Sequence, residues 1–137
     1  MKSRNTGFSL IELLVVIAIA GILFSIAIPA YQQYLLSANR TDAIKTLLEV
    51  SNSEGEYYTQ YNQYTTALTA LGYASDNVTS GNGDYVVTVT SAQPQTFTLT
   101  ATAQGGQVQD THCGNFTLTS LGIKGVTGTE GTTHCWQ

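Results

Sequence analysis

Basic residues are scarce in this chain. Five lysines and arginines stand against nine carboxylates in 137 residues, and two of the five, Lys2 and Arg4, precede residue 7. Beyond that point only Arg40, Lys45 and Lys124 carry a strong positive charge, a thin electrostatic footprint for a polyanion or an anionic membrane surface. There is no nucleophile elbow, no phosphate-binding glycine loop and no pair of carboxylates at helical spacing near a histidine. No catalytic residue or cofactor set can be assembled, so the chain reads as a structural or binding protein and not as an enzyme. The length leaves room for one domain plus a long helix, with no second domain, internal repeat or low-complexity tail.

Charge is most nearly absent from Phe8 to Ala30, 23 residues with Glu12 alone ionisable. A helix of that length rises roughly 34 Å at about 1.5 Å per residue, enough to cross a bilayer core. The basic leader ahead of it predicts a single pass with the N-terminus inside and everything after Ala30 outside. The stretch is not an ordinary cleaved secretory signal, because the apolar residues continue for ten positions beyond the small-residue site at Ala18-Ile19-Ala20. Glu12 is the anomaly. A carboxylate in hydrocarbon is costly and reads as functional with a partner to be found, and nothing in the apolar run is expected to supply one. The alternative is that Glu12, near the cytoplasmic end, snorkels to the interface.

Gly7-Phe8-Ser9-Leu10-Ile11-Glu12, the unbroken apolar run and Ile28-Pro29-Ala30-Tyr31 together resemble the class III signal of the type IV pilins. The resemblance implies that a prepilin peptidase cuts between Gly7 and Phe8 and that the new Phe8 amine is methylated. It also implies a partner for Glu12, the Phe8 amine of a neighbouring subunit in a filament core. Residues 1–7 are then a cleaved leader, 8–30 the transmembrane and filament-core half of the helix, and 31–137 an exported head that includes the amphipathic half. The mature side chains would sum to three strong cations against nine carboxylates, a net of −6. Gly21 and Pro29 are weak points in the helix, and the resemblance implies that the segment between them unwinds in a filament.

After Pro29 the apolar spacing is again helical: Ile44, Leu47, Leu48, Ser51, Gly55 and Tyr58 form one stripe, with Asp42, Lys45, Glu49 and Glu56 elsewhere. One helix is expected from about Phe8 to about Tyr58. Residues 60–82 read as a connecting loop with room for one helical turn at Leu68, Leu71 and Tyr73. The turn signal Ser80-Gly81-Asn82-Gly83-Asp84 opens a sheet. Tyr85, Val87 and Val89 alternate against Val86, Thr88 and Thr90; Phe97, Leu99, Ala101 and Ala103 alternate against three threonines; Phe116 and Leu118 set a third strand within 115–120. Ser91 to Gln95 is the expected hairpin turn. The fold class is α+β, a long N-terminal helix packed on an antiparallel sheet of three or four strands, its apolar face inward and its threonine face outward.

Cys113 and Cys135 lie in the exported part, which favours a disulfide closing the C-terminal loop. A Cys2His2 zinc site with His112 and His134 is the alternative; it needs reduced thiolates in an oxidising compartment. The tail, Cys113-Gly114-Asn115-Phe116-Thr117-Leu118 through Leu121-Gly122-Ile123-Lys124 to Cys135-Trp136, resembles the minor pilins of the PilE type and the competence pilins akin to them. The resemblance implies a pilus subunit, expected as a minor pilin. Its partners would be other pilins, the prepilin peptidase and the inner-membrane assembly machinery, and it would move from the bacterial inner membrane to the surface filament. Its roles would be adhesion, twitching motility or DNA uptake. A DNA-binding competence pilin is the second reading, with Arg40, Lys45 and Lys124 as the only candidate contacts. A type II secretion pseudopilin is the third, disfavoured because such chains usually end in a calcium-holding loop and residues 122–137 offer only Glu130.

Overall fold

The computed structural model describes residues 7–137; Lys2 and Arg4 of the leader lie outside them. The described residues fall into two units, one ending at Leu35 and the other Leu36–Gln137. A single helix, α1 (Leu10–Tyr61), supplies residues to both and continues past Gly21 and Pro29 without interruption.

Within the first unit the helix begins with a reciprocal cap. The Ser9 N–H donates to Glu12 Oε2 at 3.4 Å, and the Glu12 N–H donates to Ser9 Oγ at 3.3 Å. This is the Ser-x-x-Glu capping box, which satisfies two of the four amide donors left over at a helix start. Ser9, inside the apolar run, thus gives Glu12 a hydrogen-bond donor, although not a counter-charge. Every large apolar side chain from Phe8 to Leu35 is exposed, Phe8 to 88% and Leu10 to 81%. By length and composition α1 can cross a membrane.

In the second unit, residues 36–61 of α1 bury Ala43, Thr46, Leu47, Val50 and Glu54. The buried face is rotated from the expected stripe: Leu48 is 47% exposed, whereas two polar residues are inside. Thr46 is accommodated because its hydroxyl donates to the Asp42 carbonyl at 2.9 Å. Glu54 Oε2 accepts from the Thr65 N–H at 3.2 Å, while Oε1 has no hydrogen-bond partner among the described residues. A 3-10 turn at Leu68–Leu71 places Leu68 in the same core.

The sheet has five strands in sequential order, all antiparallel: β1 (Val78–Thr79), β2 (Tyr85–Gln93), β3 (Thr96–Ala103), β4 (Phe116–Thr119) and β5 (Lys124–Val126). Two more edge strands than the sequence marks account for the difference from three or four; at two and three residues they are too short for alternation to show. The β2–β3 hairpin is also tighter than Ser91 to Gln95. A register shift between Val89 and Ser91 absorbs one residue, so pairing resumes from Ser91 and only Pro94 and Gln95 remain as the turn. Register pairs Val87 with Ala101, Leu99 with Leu118 and Ala101 with Phe116. These inward residues, with Tyr85 and Phe97, meet Ala43, Leu47 and Val50 in one core. β5 and a short helix, α2 (Thr132–Cys135), structure the loop closed by the Cys113–Cys135 disulfide, whose Cα atoms are 5.7 Å apart. The bridge replaces the zinc alternative, since both thiols are consumed.

A polar network fastens this loop to the helix. Arg40 Nε donates to Asp110 Oδ2 at 2.6 Å and its Nη2 to Oδ1 at 2.8 Å, a two-pronged pair in which Asp110 is fully buried and Arg40 nearly so. The Cys113 N–H and the Gln107 amide donate to the same carboxylate. That Gln107 amide nitrogen also reaches the Leu36 carbonyl and the Tyr85 hydroxyl, and Asn39 donates to the Gln107 oxygen. Burial opposes ionisation of Asp110, yet the bonds from Arg40 and Cys113 more than offset it and hold the carboxyl below its usual range. Burial drives Tyr85 up to about 12, against the opposing bond from Gln107.

Two outcomes are expected. Arg40→Met should cost about 3–5 kcal/mol, because Asp110 is left buried and unpaired. Adding Asp110→Asn should recover much of that, since the neutral amide keeps an acceptor for Cys113. Chemical denaturation of the full chain in detergent, followed through Trp136, measures both; a double variant no more stable than Arg40→Met alone contradicts the assignment. Glu54 behaves oppositely to Asp110. Burial raises its pKa, with the Thr65 bond opposing, so its folded form holds a proton to higher pH than the unfolded chain does. Its contribution is therefore complete below the unfolded glutamate value of about 4.3 and declines as pH rises toward the folded value. Glu54→Gln should remove that decline and gain about 1 kcal/mol at neutral pH. An unchanged pH profile would show that the carboxyl is ionised and hydrated.

Candidate functional site

The residues expected to direct processing and assembly lie together at the start of the chain. Gly7 and Phe8 are exposed and precede the helix, and Glu12 sits in its first turn. The capping box fixes the carboxylate through Oε2, which leaves Oε1 for a further donor. A carboxylate in the first turn also faces the partial positive charge of the helix terminus. This end of the helix presents one carboxylate among exposed apolar side chains.

The three candidate cations stand in three different environments. Arg40 is committed to Asp110 and its side chain is only 13% exposed. Lys45 is exposed on α1 and lies 3.9 Å from Glu49, one turn on. Lys124, at the start of β5, rests its ammonium 5.2 Å from the centre of the Trp136 ring. The sequence presents Arg40 as a free surface charge because its partner is 70 residues away. Trp136 plugs the core beside the bridge, edge-on to Phe116 with ring centres 5.7 Å apart, and its indole N–H donates to the Gly125 carbonyl at 3.1 Å.

The histidines meet a residue that sequence reasoning did not connect to them. Glu130 Oε1 lies 3.1 Å from His112 Nδ1 and Oε2 lies 2.8 Å from His134 Nε2. Only the four-residue spacing of Glu130 and His134 within one turn could have signalled half of this contact.

Comparison with known proteins agrees with these features. Residues 29–117 match the family described as "Type IV minor pilin ComP, DNA uptake sequence receptor", and residues 2–28 match the "Prokaryotic N-terminal methylation motif". The chain is 39% identical over 89 residues to a fimbrial protein of Neisseria meningitidis, covering 65% of this chain and 51% of that one. It is 37% identical to the fimbrial protein EcpC of Eikenella corrodens (74% and 65% covered) and 34% identical to a fimbrial protein of Pseudomonas aeruginosa (74% and 70%). The chain thus spans about half the length of the Neisseria relatives it matches. Among solved structures it resembles a type IV pilin of Shewanella oneidensis (20% identity, TM-score 0.49, 74% and 98% covered). It also resembles the minor pilin PilV of Neisseria meningitidis (24%, 0.49, 75% and 93%). With the methylation motif at one end and the family match over most of the remainder, the chain belongs to the type IV pilins, in the family of the minor pilin ComP.

Proposed function

We propose that this chain is a minor subunit of a type IV pilus, held in the inner membrane with its N-terminus inside and then drawn into the filament by residues 8–30. The observation that carries the reading is the stretch from Phe8 to Ala30: its large apolar side chains are all exposed, and its one ionisable residue is the capped Glu12, four residues after Phe8. Such a surface is stable only in lipid or against other apolar helices. In this reading a prepilin peptidase removes residues 1–7, the Phe8 amine is methylated, and assembly proceeds with other pilins through the inner-membrane machinery. The amine of one subunit meets Glu12 Oε1 of the next, while Ser9 keeps that carboxylate oriented. Gly21 and Pro29 are the places where the helix can yield as subunits pack. The head contributes surface for adhesion or motility rather than chemistry.

A second reading, reception of DNA, is favoured by the description of the matching family. The head constrains how it could work. With Arg40 internal, Lys45 and Lys124 are the strong cations left at the surface among the described residues. Phosphate neutralisation by two charges yields a shallow salt slope, about −2, so any affinity must come from hydroxyl and backbone donors.

The Glu12→Ala variant should insert into the membrane normally and enter filaments several-fold less than the parent when the two are co-expressed and sheared filaments are weighed by mass spectrometry. Equal incorporation contradicts the pairing. For the second reading, the full chain in non-ionic detergent is titrated by anisotropy with duplex fragments from its own genome and with unrelated duplex of equal length. Micromolar binding that discriminates between them and changes little between low and physiological salt supports reception. Millimolar binding to both leaves the structural subunit alone.

A further inference from the structure

The end of α1 and the 3-10 turn that follows it form a shallow cleft within the second unit. Glu56, Tyr57, Gln60 and Tyr61 line it from the helix, and Ala70 and Leu71 from the turn. A spacing of four residues sorts the helix side into two rows, an aromatic one of Tyr57 and Tyr61 and a polar one of Glu56 and Gln60. The two rings stack with their centres 4.4 Å apart and their planes 30° from parallel, and Tyr61 is 59% exposed. The turn is fixed against the helix, so the cleft is already formed. Leu68 is fully buried in the core, the Tyr73 N–H donates to the Leu68 carbonyl at 3.2 Å, and the Ser53 and Tyr73 hydroxyls lie 3.3 Å apart. The Glu56 carbonyl takes the Thr59 hydroxyl, but the side-chain polar atoms of Glu56, Tyr57, Gln60 and Tyr61 have no partner among the described residues.

We propose that this cleft binds a neutral pyranose ring, one unit of a glycan, laid against the tyrosine pair. The inference deepens the adhesive role given to the head above and rests on that reading. A sugar makes two demands at once, an aromatic face for its C–H side and hydrogen-bonding groups around its edge, and the two rows supply one each. Its slightly positive C–H hydrogens meet the negative face of a tyrosine ring. Its hydroxyls donate to the Glu56 carboxyl group and accept from the Gln60 amide and the phenol hydroxyls, so every unpartnered group in the cleft is used. Charge narrows the class further. Glu56 is the one acidic side chain lining the cleft, no basic one lines it, and α1 has no basic residue in its last turn, so a phosphate, a sulfate or an acidic sugar is disfavoured. That separates the site from the reception of DNA, whose surface cations Lys45 and Lys124 it does not include. At about 120 Å3 the cleft is smaller than the roughly 300–1,000 Å3 of a pocket that encloses its ligand. A sugar therefore rests on it with one face in solvent and binds weakly as a single ring, while several rings in one polymer raise the avidity.

The test is saturation-transfer NMR on the full chain in an alkyl polyoxyethylene detergent, which carries neither a sugar nor an aromatic ring. The probes are the methyl glycosides of glucose, galactose, mannose and N-acetylglucosamine, with choline as the cationic contrast. Irradiation of the protein's aromatic protons should reach the C–H protons of at least one glycoside and saturate with a Kd of about 1–10 mM. Tyr61→Phe keeps the ring and should bind within about twofold of the parent, whereas Tyr61→Ala should weaken binding by about fivefold or more. An unchanged Trp136 spectrum certifies that each variant is folded. Absence of saturable transfer to all four glycosides overturns the proposal, and so does equal binding by the parent and Tyr61→Ala. Transfer to choline alone overturns it as well and gives the cleft to cations. None of these failures touches the pilus reading, which the incorporation of Glu12→Ala measures separately.

Discussion

The two-pronged ion pair between Arg40 and Asp110 is the contact on which the second unit of this chain, Leu36–Gln137, depends. Asp110 is withdrawn from water, and its carboxylate is stabilised by Arg40, by the Gln107 amide and by the Cys113 N–H together. A buried pair of this kind is weak evidence for net stability, because removing two charges from water costs several kcal/mol per ion before their attraction is counted. What it does supply is position. Each partner is useful only when the others are present, so the helix at residues 36–40, the 3-10 turn at 105–109 and the first cysteine of the bridge can satisfy the group in one arrangement. The disulfide then closes a loop whose starting point is already set, and Trp136 seals it against Phe116.

The same pair explains why the cation inventory misled. From sequence Arg40 is one of three strong positive charges beyond Gly7 in an acidic chain, and nothing local marks it as internal. Asp110 is 70 residues away in a glutamine- and glycine-rich stretch with no periodicity. Glu54 is the complementary case: it falls on the helix face that the core needs, but as an acid it was not counted there, and only the Thr65 amide reveals how the fold tolerates it. By contrast β2, β3 and β4 were legible because one side of each faces the core and alternation is unambiguous. β1 and β5 were not, being shorter than two alternation periods, with one core-packed valine each, Val78 and Val126. The placement of the disulfide was also legible, since export and a single cysteine pair leave few alternatives. The link between Glu130 and the histidines was not, because it depends on backbone pairing across the loop.

The capped carboxylate at the head of α1 reconciles two demands that conflict when Glu12 is considered alone. A charge near hydrocarbon opposes insertion, whereas a charge available to a neighbouring subunit requires that it stay ionised and oriented. Ser9 meets both. Its amide and hydroxyl occupy the groups that a free helix start would leave unsatisfied, and the first-turn position places the carboxylate where the helix dipole favours negative charge. Only one oxygen, Oε2, is used by the cap. The Ser-x-x-Glu spacing was readable from the sequence as an N-terminal cap, yet the recognition of a processing motif over the same six residues absorbed it. The two readings are not rivals: a cap that holds the acid at a fixed depth and rotation is what would allow a single charge, in an otherwise uniform apolar surface, to set the axial register of one helix against the next.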